Sequence, residues 1–542
     1  MLPNLNKRKV LIADDSKLVT STITSILKQS GMDDISYAHK PEEIIQLCEQ
    51  TQFDLILCDY NFQASLNGFQ ILEELQYSKL LPAHTTFVFL SGEDNPKIIN
   101  SIQDSDADDY FFKPLNFKIF RNRILSAMER RAALLPIYKH LQSLNFSGAT
   151  EACDALLPLY PEYSIVIKQY RALALVSSKQ FVAAQEEYQG LLDDYGFDWV
   201  KIALANTLIK SNQLEKAQQV LNSVNDQVEN PYYHDEMSKI AVEKDDFTTA
   251  IKHLKQSIAL VDAGAERELV ITNLSLANES YDDAVTYIRR YEEKNADTFR
   301  DEIYTKLNFT RCYLYRALNN PLSNCFESLL SGLNPIISDI HSHPQFKTHA
   351  LLLSAHISLI RGDLKSATSG IKQALKTNEL THFYDLYHLC VLLERCSLLE
   401  EMESVLPLAH SAISDLQHPS IRRSQMHMLK KLKERLLEAQ LRVDSIRKQL
   451  SEKKSNATLG MTSHFDHYFK LHDLFPHSEK ICLAIVKLAS LRPFAYHGEY
   501  RIFTKLNECD QVVTTAYSRE ELSTMSYSAM YQSAKDNIRL NS

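Results

Sequence analysis

Glycine is scarce in this sequence, at 12 of 542 residues, and tryptophan occurs once. A glycine inside a helix costs about 1 kcal/mol relative to alanine, so this scarcity suits a chain that is mostly helix. The nine cysteines lack paired spacing and no CxxC occurs, which points to reduced thiols in the cytoplasm rather than a disulfide framework. No apolar run approaches the roughly 18 residues that a membrane span needs. The opening stretch "MLPNLNKRKVLIADDS" turns polar and acidic where a signal peptide would be continuously apolar. A formal net charge of -9 favours solubility and gives no global drive toward nucleic acid or anionic lipid. Together these absences predict a soluble cytoplasmic protein without membrane insertion.

What is present is ordinary globular material, 44% hydrophobic and 23% charged. The chain is too long for one core, so two or more domains are expected. Residues 1–128 alternate short apolar runs ("KVLIADD", "ISYA", "FDLILCD", "TTFVFLSG", "DYFFK") with amphipathic segments at Lys17–Ser30 and Glu42–Gln50. That alternation predicts a doubly wound parallel five-stranded sheet with helices on both faces, an α/β domain. In such folds the chemistry sits beyond the carboxyl ends of the strands. Those ends carry Asp14 and Asp15, Asp59, Ser91 and Lys113. Three converging carboxylates need a cation, and hard oxygen ligands suit Mg²⁺. A carboxylate can attack a phosphoryl group to give an acyl phosphate, while a hydroxyl and an ammonium grip its oxygens.

The stretches "VLIADDS", "DLILCDY", "FLSGED" and "DADDYFFKPL" resemble the signature segments of response regulator receiver domains. The resemblance covers about residues 7–128. It implies that Asp14 and Asp15 hold Mg²⁺, that Asp59 is both metal ligand and phosphoacceptor, and that the main-chain carbonyl of Asn61 completes the shell. It also implies that Ser91 and Lys113 contact the phosphoryl group and that Tyr110 is the aromatic that moves inward on activation. A histidine kinase or phosphotransfer protein is the implied donor. The loop after the phosphoacceptor, "NFQASLNGF", departs from the family by one extra residue and a missing proline. The pair Asn61 and Glu93 matches that of the chemotaxis response regulator, which implies rapid loss of phosphate.

Beyond residue 136 an aromatic or leucine precedes alanine by three positions again and again. The pairs are Phe146/Ala149, Phe181/Ala184, Leu214/Ala217, Phe247/Ala250, Tyr281/Ala284 and Leu364/Ala367. The first five alanines are spaced by 35, 33, 33 and 34 residues, the period of a two-helix repeat. Alanine suits the point where paired helices cross closely. "KQFVAAQEEYQGLL" and "GDLKSATSGIKQAL" resemble the second helix of tetratricopeptide repeats, and Trp199 sits at the first-helix aromatic. A degenerate unit is expected at Leu399 and Met402. The expected architecture for 136–418 is an all-α solenoid, which suits binding of a protein partner.

A heptad follows: Leu429, Leu432, Leu436, Ala439, Val443, Ile446 and Leu450. It predicts a long amphipathic or coiled-coil helix over 419–455, either a homodimer contact through 429–450 or a cap on the solenoid. Residues 422–454 hold eleven Lys/Arg against four Asp/Glu, yet no recognition-helix pattern accompanies them, so nucleic acid is disfavoured. His464, His467, His472 and His477 cluster in "HFDHYFKLHDLFPH" without a cysteine beside them, as on an ordinary amphipathic helix. The region 456–542 reads as helical with some short-strand character and no assigned role. The sequence thus predicts a phosphorylation-switched adaptor that is not an enzyme. The competing reading puts a nucleic-acid-binding or enzyme-like output in 420–542, with the repeats as scaffold.

Overall fold

The structure is a computed structural model. It describes residues 5–62, 66–103, 105–319, 326–377, 379–413, 418–454, 461–491, 493, 496 and 500–539. The chain forms two compact units, 1–268 with 293–302, and 269–292 with 303–542.

The first unit begins with a five-stranded parallel sheet. Its strands are β1 (Lys9–Ala13), β2 (Asp34–Ala38), β3 (Leu55–Asp59), β4 (Thr86–Ser91) and β5 (Asp109–Phe112), in the order β2-β1-β3-β4-β5. The apolar runs lie in the middle of this sheet: β3 and β4 are buried at every residue, as strands covered on both faces must be. The connecting helices are α1 (Lys17–Gln29), α2 (Pro41–Gln50), α3 (Gly68–Tyr77), α4 (Pro96–Gln103) and α5 (Phe117–Ala133). Asn67 caps α3 in a capping box with Gln70, satisfying end N–H groups that the helix cannot pair itself. Chain order reverses between β1 and β3, and that crevice is where ligands bind in open α/β sheets.

The helical pairs of this unit follow as α6 (Leu135–Gln142) and α7 (Phe146–Leu156), α8 (Ser164–Ser177) and α9 (Phe181–Tyr195), α10 (Asp198–Lys210) and α11 (Leu214–Leu221), α12 (Pro231–Glu243) and α13 (Phe247–Leu260). Leu134 separates α5 from α6, so the receiver's last helix and the first repeat helix are two segments rather than one rod. Two further helices, α14 (Glu266–Ala277) and α15 (Tyr281–Asn295), supply chain to both units.

The second unit continues with α16 (Ile303–Asn319), α17 (Phe326–Ser342), α18 (Lys347–Ile360), α19 (Leu364–Ala374), α20 (Phe383–Arg395) and α21 (Leu399–Ser411). The long α22 (Pro419–Lys454) is followed by α23 (Met461–Leu474), α24 (Glu479–Ser490), α25 (Ile502–Ala516), α26 (Arg519–Thr524) and α27 (Tyr527–Arg539). Among the described residues of the tail there is helix and no strand; residues 492, 494–495 and 497–499 of the stretch read with short-strand character lie outside the described residues.

The repeat signature has a direct structural meaning. Phe146, Phe181, Leu214, Phe247, Tyr281 and Leu364 are each the first residue of a helix, and the six alanines three positions later are fully buried. Two residues before each of these helices the backbone is left-handed, at Leu144, Lys179, Asn212, Asp245, Glu279 and Gly362. Ser397 has the same conformation before α21, and Met402 is fully buried, so the unit expected at Leu399 and Met402 shares the turn. A tight reversal between antiparallel helices needs one such residue, and this turn recurs where the sequence otherwise varies.

Leu429, Leu432 and Leu436 of the heptad are buried within the chain, in a core with α20, α21 and α23 residues. Ala439 and Val443 are half-buried, and the side chains of Ile446 and Leu450 lie outside the described residues. No helix among the described residues is long and apolar enough to cross a membrane.

Candidate functional site

Four of the five strands, all but β2, deliver chemical groups to the same end. Asp14 follows β1 and is fully buried, Asp59 ends β3 with 5% exposure, and Ser91 ends β4 with 1%. Asp15 is exposed at the mouth. Ligand oxygens of Asp14, Asp15 and Asp59 lie within 4.8 Å of one another. Lys113, just past β5, places Nζ 2.7 Å from Asp14 Oδ2 and 3.0 Å from Asp59 Oδ2. Its peptide bond to Pro114 is cis.

The charges here do not balance: the single Lys113 ammonium is shared by Asp14 and Asp59. Burial pushes the Asp59 carboxyl up to about 6, and repulsion from Asp14 adds to it against the pull of Lys113. The Asn61 main-chain N–H also binds the Asp59 carboxylate. Burial works against the Lys113 ammonium, but its hydrogen bond to Asp14 and the two carboxylates outweigh this and hold it above the usual lysine range. An under-neutralised cluster of hard oxygen donors, one of them open to solvent, fits a divalent cation of the Mg²⁺ type.

The remaining predicted residues are less tightly gathered. Ser91 Oγ is engaged with the Glu93 backbone, accepting from its N–H at 3.1 Å and donating to its carbonyl at 3.0 Å. Tyr110 in β5 is half-buried, edge-on to Phe112 at 5.6 Å. Of the altered loop, residues 63–65 lie outside the described residues. Gly68 at its end is needed for close approach: a Cβ there would sit 2.5 Å from the Asp59 carbonyl oxygen.

Sequence reasoning missed how firmly the receiver is joined to the repeats within the first unit. Helix α4 carries Ser101, fully buried, whose Oγ accepts from the N–H groups of Asp262 and Ala263 at 3.3 and 3.1 Å. Asn100 donates to the Leu260 carbonyl at 2.9 Å and accepts from the Tyr232 hydroxyl at 2.7 Å. Helix α3 adds Gln70 donating to the Lys294 carbonyl, a two-pronged Arg300–Glu73 pair at 3.0 and 3.1 Å, and Tyr77 stacked on Phe299 at 4.0 Å. Tyr60, the neighbour of Asp59, has its hydroxyl next to Ser101, and burial pushes that hydroxyl up to about 12. None of these residues forms a motif; they meet only because chain segments more than 100 residues apart fold together.

Comparison with known proteins agrees with this reading. The response regulator receiver domain family matches residues 10–125, and the tetratricopeptide repeat family matches residues 175–240. The CAI-1 autoinducer sensor kinase/phosphatase CqsS of Vibrio cholerae is 21% identical over 119 residues, 22% of this chain and 17% of that protein. The aerobic respiration control protein ArcA of Escherichia coli is 27% identical over 144 residues, 26% of this chain and 57% of that protein. The chain therefore spans less than two-thirds of the length of these relatives. A CheY-like receiver domain from Methanospirillum hungatei is 22% identical, with a TM-score of 0.21, and the match covers 23% of this chain and 96% of that one. This chain carries a response regulator receiver domain at 10–125 and tetratricopeptide repeats at 175–240.

Proposed function

We propose that the protein is a two-component response regulator, phosphorylated on Asp59 by a histidine kinase or phosphotransfer protein, whose helical repeats bind a protein partner under control of that phosphate. The single observation that supports control is the Asp59–Tyr60–Ser101–Asp262/Ala263 contact chain, which runs from the phosphoacceptor through α4 into the repeats. Asp14, Asp15, Asp59 and the Asn61 carbonyl would hold Mg²⁺, which supplies neutralisation of phosphoryl charge when bound. Asp59 is the nucleophile. Lys113 and Ser91 would take phosphoryl oxygens, and for Ser91 this means leaving the Glu93 backbone. Tyr110 would follow inward, shifting α4 and with it Ser101, so that two packings of the α4 surface correspond to two states of the repeats.

On this reading the only chemistry is self-catalysed phosphoryl transfer and hydrolysis, and the protein works in the cytoplasm, where such donors act. A homodimer through 429–450 would have to use surface other than Leu429, Leu432 and Leu436, which are already covered by their own chain, and Leu437 and Leu441 are exposed on the same helix.

The test uses the full chain with acetyl phosphate and Mg²⁺. Intact mass should rise by one phosphoryl group in the wild type and not in Asp59→Asn. Hydrogen exchange at 97–103 and 260–264 should then increase with phosphorylation. An unaltered mass with both acetyl phosphate and a phosphohistidine donor sinks the signalling reading. Phosphorylation that leaves exchange in both segments unchanged sinks the control but not the adaptor.

A further inference from the structure

The histidine-rich stretch of α23 looks in sequence like an ordinary amphipathic helix, because no cysteine lies within the stretch itself. The fold supplies two. Helices α23, α24 and α25 bring His472, Cys482 and Cys509 together, with ligand atoms within 4.8 Å of one another. The exposures are 2%, 0% and 0%. His472 is separated from Cys482 by a turn between helices, and Cys509 comes from a third helix, so no short spacing announces the group.

The surroundings assign a direction to the imidazole. Its Nδ1 faces polar company: Lys505 Nζ at 3.3 Å and Glu508 Oε2 at 3.9 Å. Its Nε2 is buried and makes no hydrogen bond. A buried ring nitrogen without a hydrogen-bond partner is costly, and a metal ion would satisfy it. Lys505 is itself paired, to Asp473 at 2.7 Å and Glu508 at 3.2 Å, so it does not compete as the counterion of the thiolates.

We infer that His472 Nε2, Cys482 Sγ and Cys509 Sγ form a zinc site that staples α23, α24 and α25 together. Two thiolates and one imidazole are the nitrogen and sulfur donors that borderline-soft Zn²⁺ takes, and hard Mg²⁺ does not. Binding releases the thiol protons, and Zn²⁺ with two thiolates and a neutral imidazole carries no net charge, which suits a buried position. Lys505 Nζ, 3.3 Å from Nδ1, can only donate to it, so a metal at Nε2 requires an Nδ1 proton that turns to Glu508 Oε2, 3.9 Å away, in place of that contact. No fourth His, Cys, Asp or Glu ligand atom joins the group among the described residues. The fourth position falls to water or a carbonyl, and the Pro476 oxygen is 3.8 Å from Cys482 Sγ.

The experiment uses the reduced full chain, freed of metal and titrated with zinc alone. One zinc ion per chain should bind and resist a chromophoric chelator. Cys482→Ser, Cys509→Ser and His472→Asn should each lose it, whereas Cys153→Ser should keep it. Because the three variants could misfold, the wild type is also loaded with Co²⁺. A thiolate-to-cobalt charge-transfer band and intense tetrahedral visible bands are expected, both bleached by added zinc. The thermal midpoint should fall when the metal is removed. A wild type that takes up no zinc overturns the assignment. So does cobalt bound without thiolate bands, or a Cys482–Cys509 disulfide that persists in place of metal under the same reducing conditions.

Discussion

Asp59 in the first unit and Asp385 in the second are both buried aspartates, and their environments shift them in opposite directions. Asp59 is pushed up to about 6, chiefly by burial and with Asp14 adding repulsion. Asp385 is held down at about 2: burial alone would raise it, but Arg311 and His349 overcome that. Arg311 lies 2.6 Å from Asp385 Oδ1, and His349 Nε2 lies 3.0 Å from Oδ2, all three being nearly inaccessible on α16, α18 and α20. The difference is one of bookkeeping in charge. In the second unit one carboxylate has a guanidinium and an imidazole; in the receiver Asp14 and Asp59 share one ammonium. A carboxylate that is fully compensated is a structural tie, and one that is left short of positive charge is ready for a cation and for chemistry.

The largest effect that could break this comparison comes from Arg311→Met. It leaves Asp385 buried without its main counterion and should destabilise the second unit by about 3–5 kcal/mol, read by urea denaturation of the full chain. A variant as stable as the wild type would mean that Asp385 is not held by charge at all.

The pH dependence separates the two acids by sign. The folded pKa of Asp385 is depressed, so its stabilisation is present above the unfolded value of about 4 and is lost as pH falls toward about 2. The folded pKa of Asp59 is raised, so its contribution is fully present below about 4 and is lost as pH rises through about 6. Mg²⁺ should therefore slow hydrogen exchange in β1, β3 and β4 by roughly 1–3 kcal/mol near pH 7 and far less near pH 4.5. Equal protection at both values would contradict an under-neutralised pocket.

The smallest expected effect is Tyr60→Phe. Losing the hydroxyl beside Ser101 should weaken protection at 260–264 by about 1 kcal/mol while Asp59 still accepts phosphate. If protection there is unchanged, the contact chain next to the acidic pocket does not link it to the repeats.

The receiver was legible because its signals are local. β3 and β4 are continuous apolar runs, and reading the ends of β1, β3, β4 and β5 in order gathers Asp14, Asp15, Asp59, Ser91 and Lys113. The repeats were legible for a similar reason, since the buried alanine and the helix-starting aromatic recur within one helical pair. The heptad was read correctly as apolar, but period alone does not say what covers it, and Leu429, Leu432 and Leu436 turned out to be covered by their own chain.

The sequence by itself determined the element types, the parallel sheet, the repeat period and the acidic pocket, because all of these follow from periodicity and strand-end chemistry within a few tens of residues. Only the tertiary structure decided that Ser101 meets Asp262, that Arg311 meets Asp385, and that His472 meets Cys482 and Cys509. Such pairings depend on how rigid helices pack. Side chains far apart in the chain acquire a common environment only after the backbone has closed the distance between them.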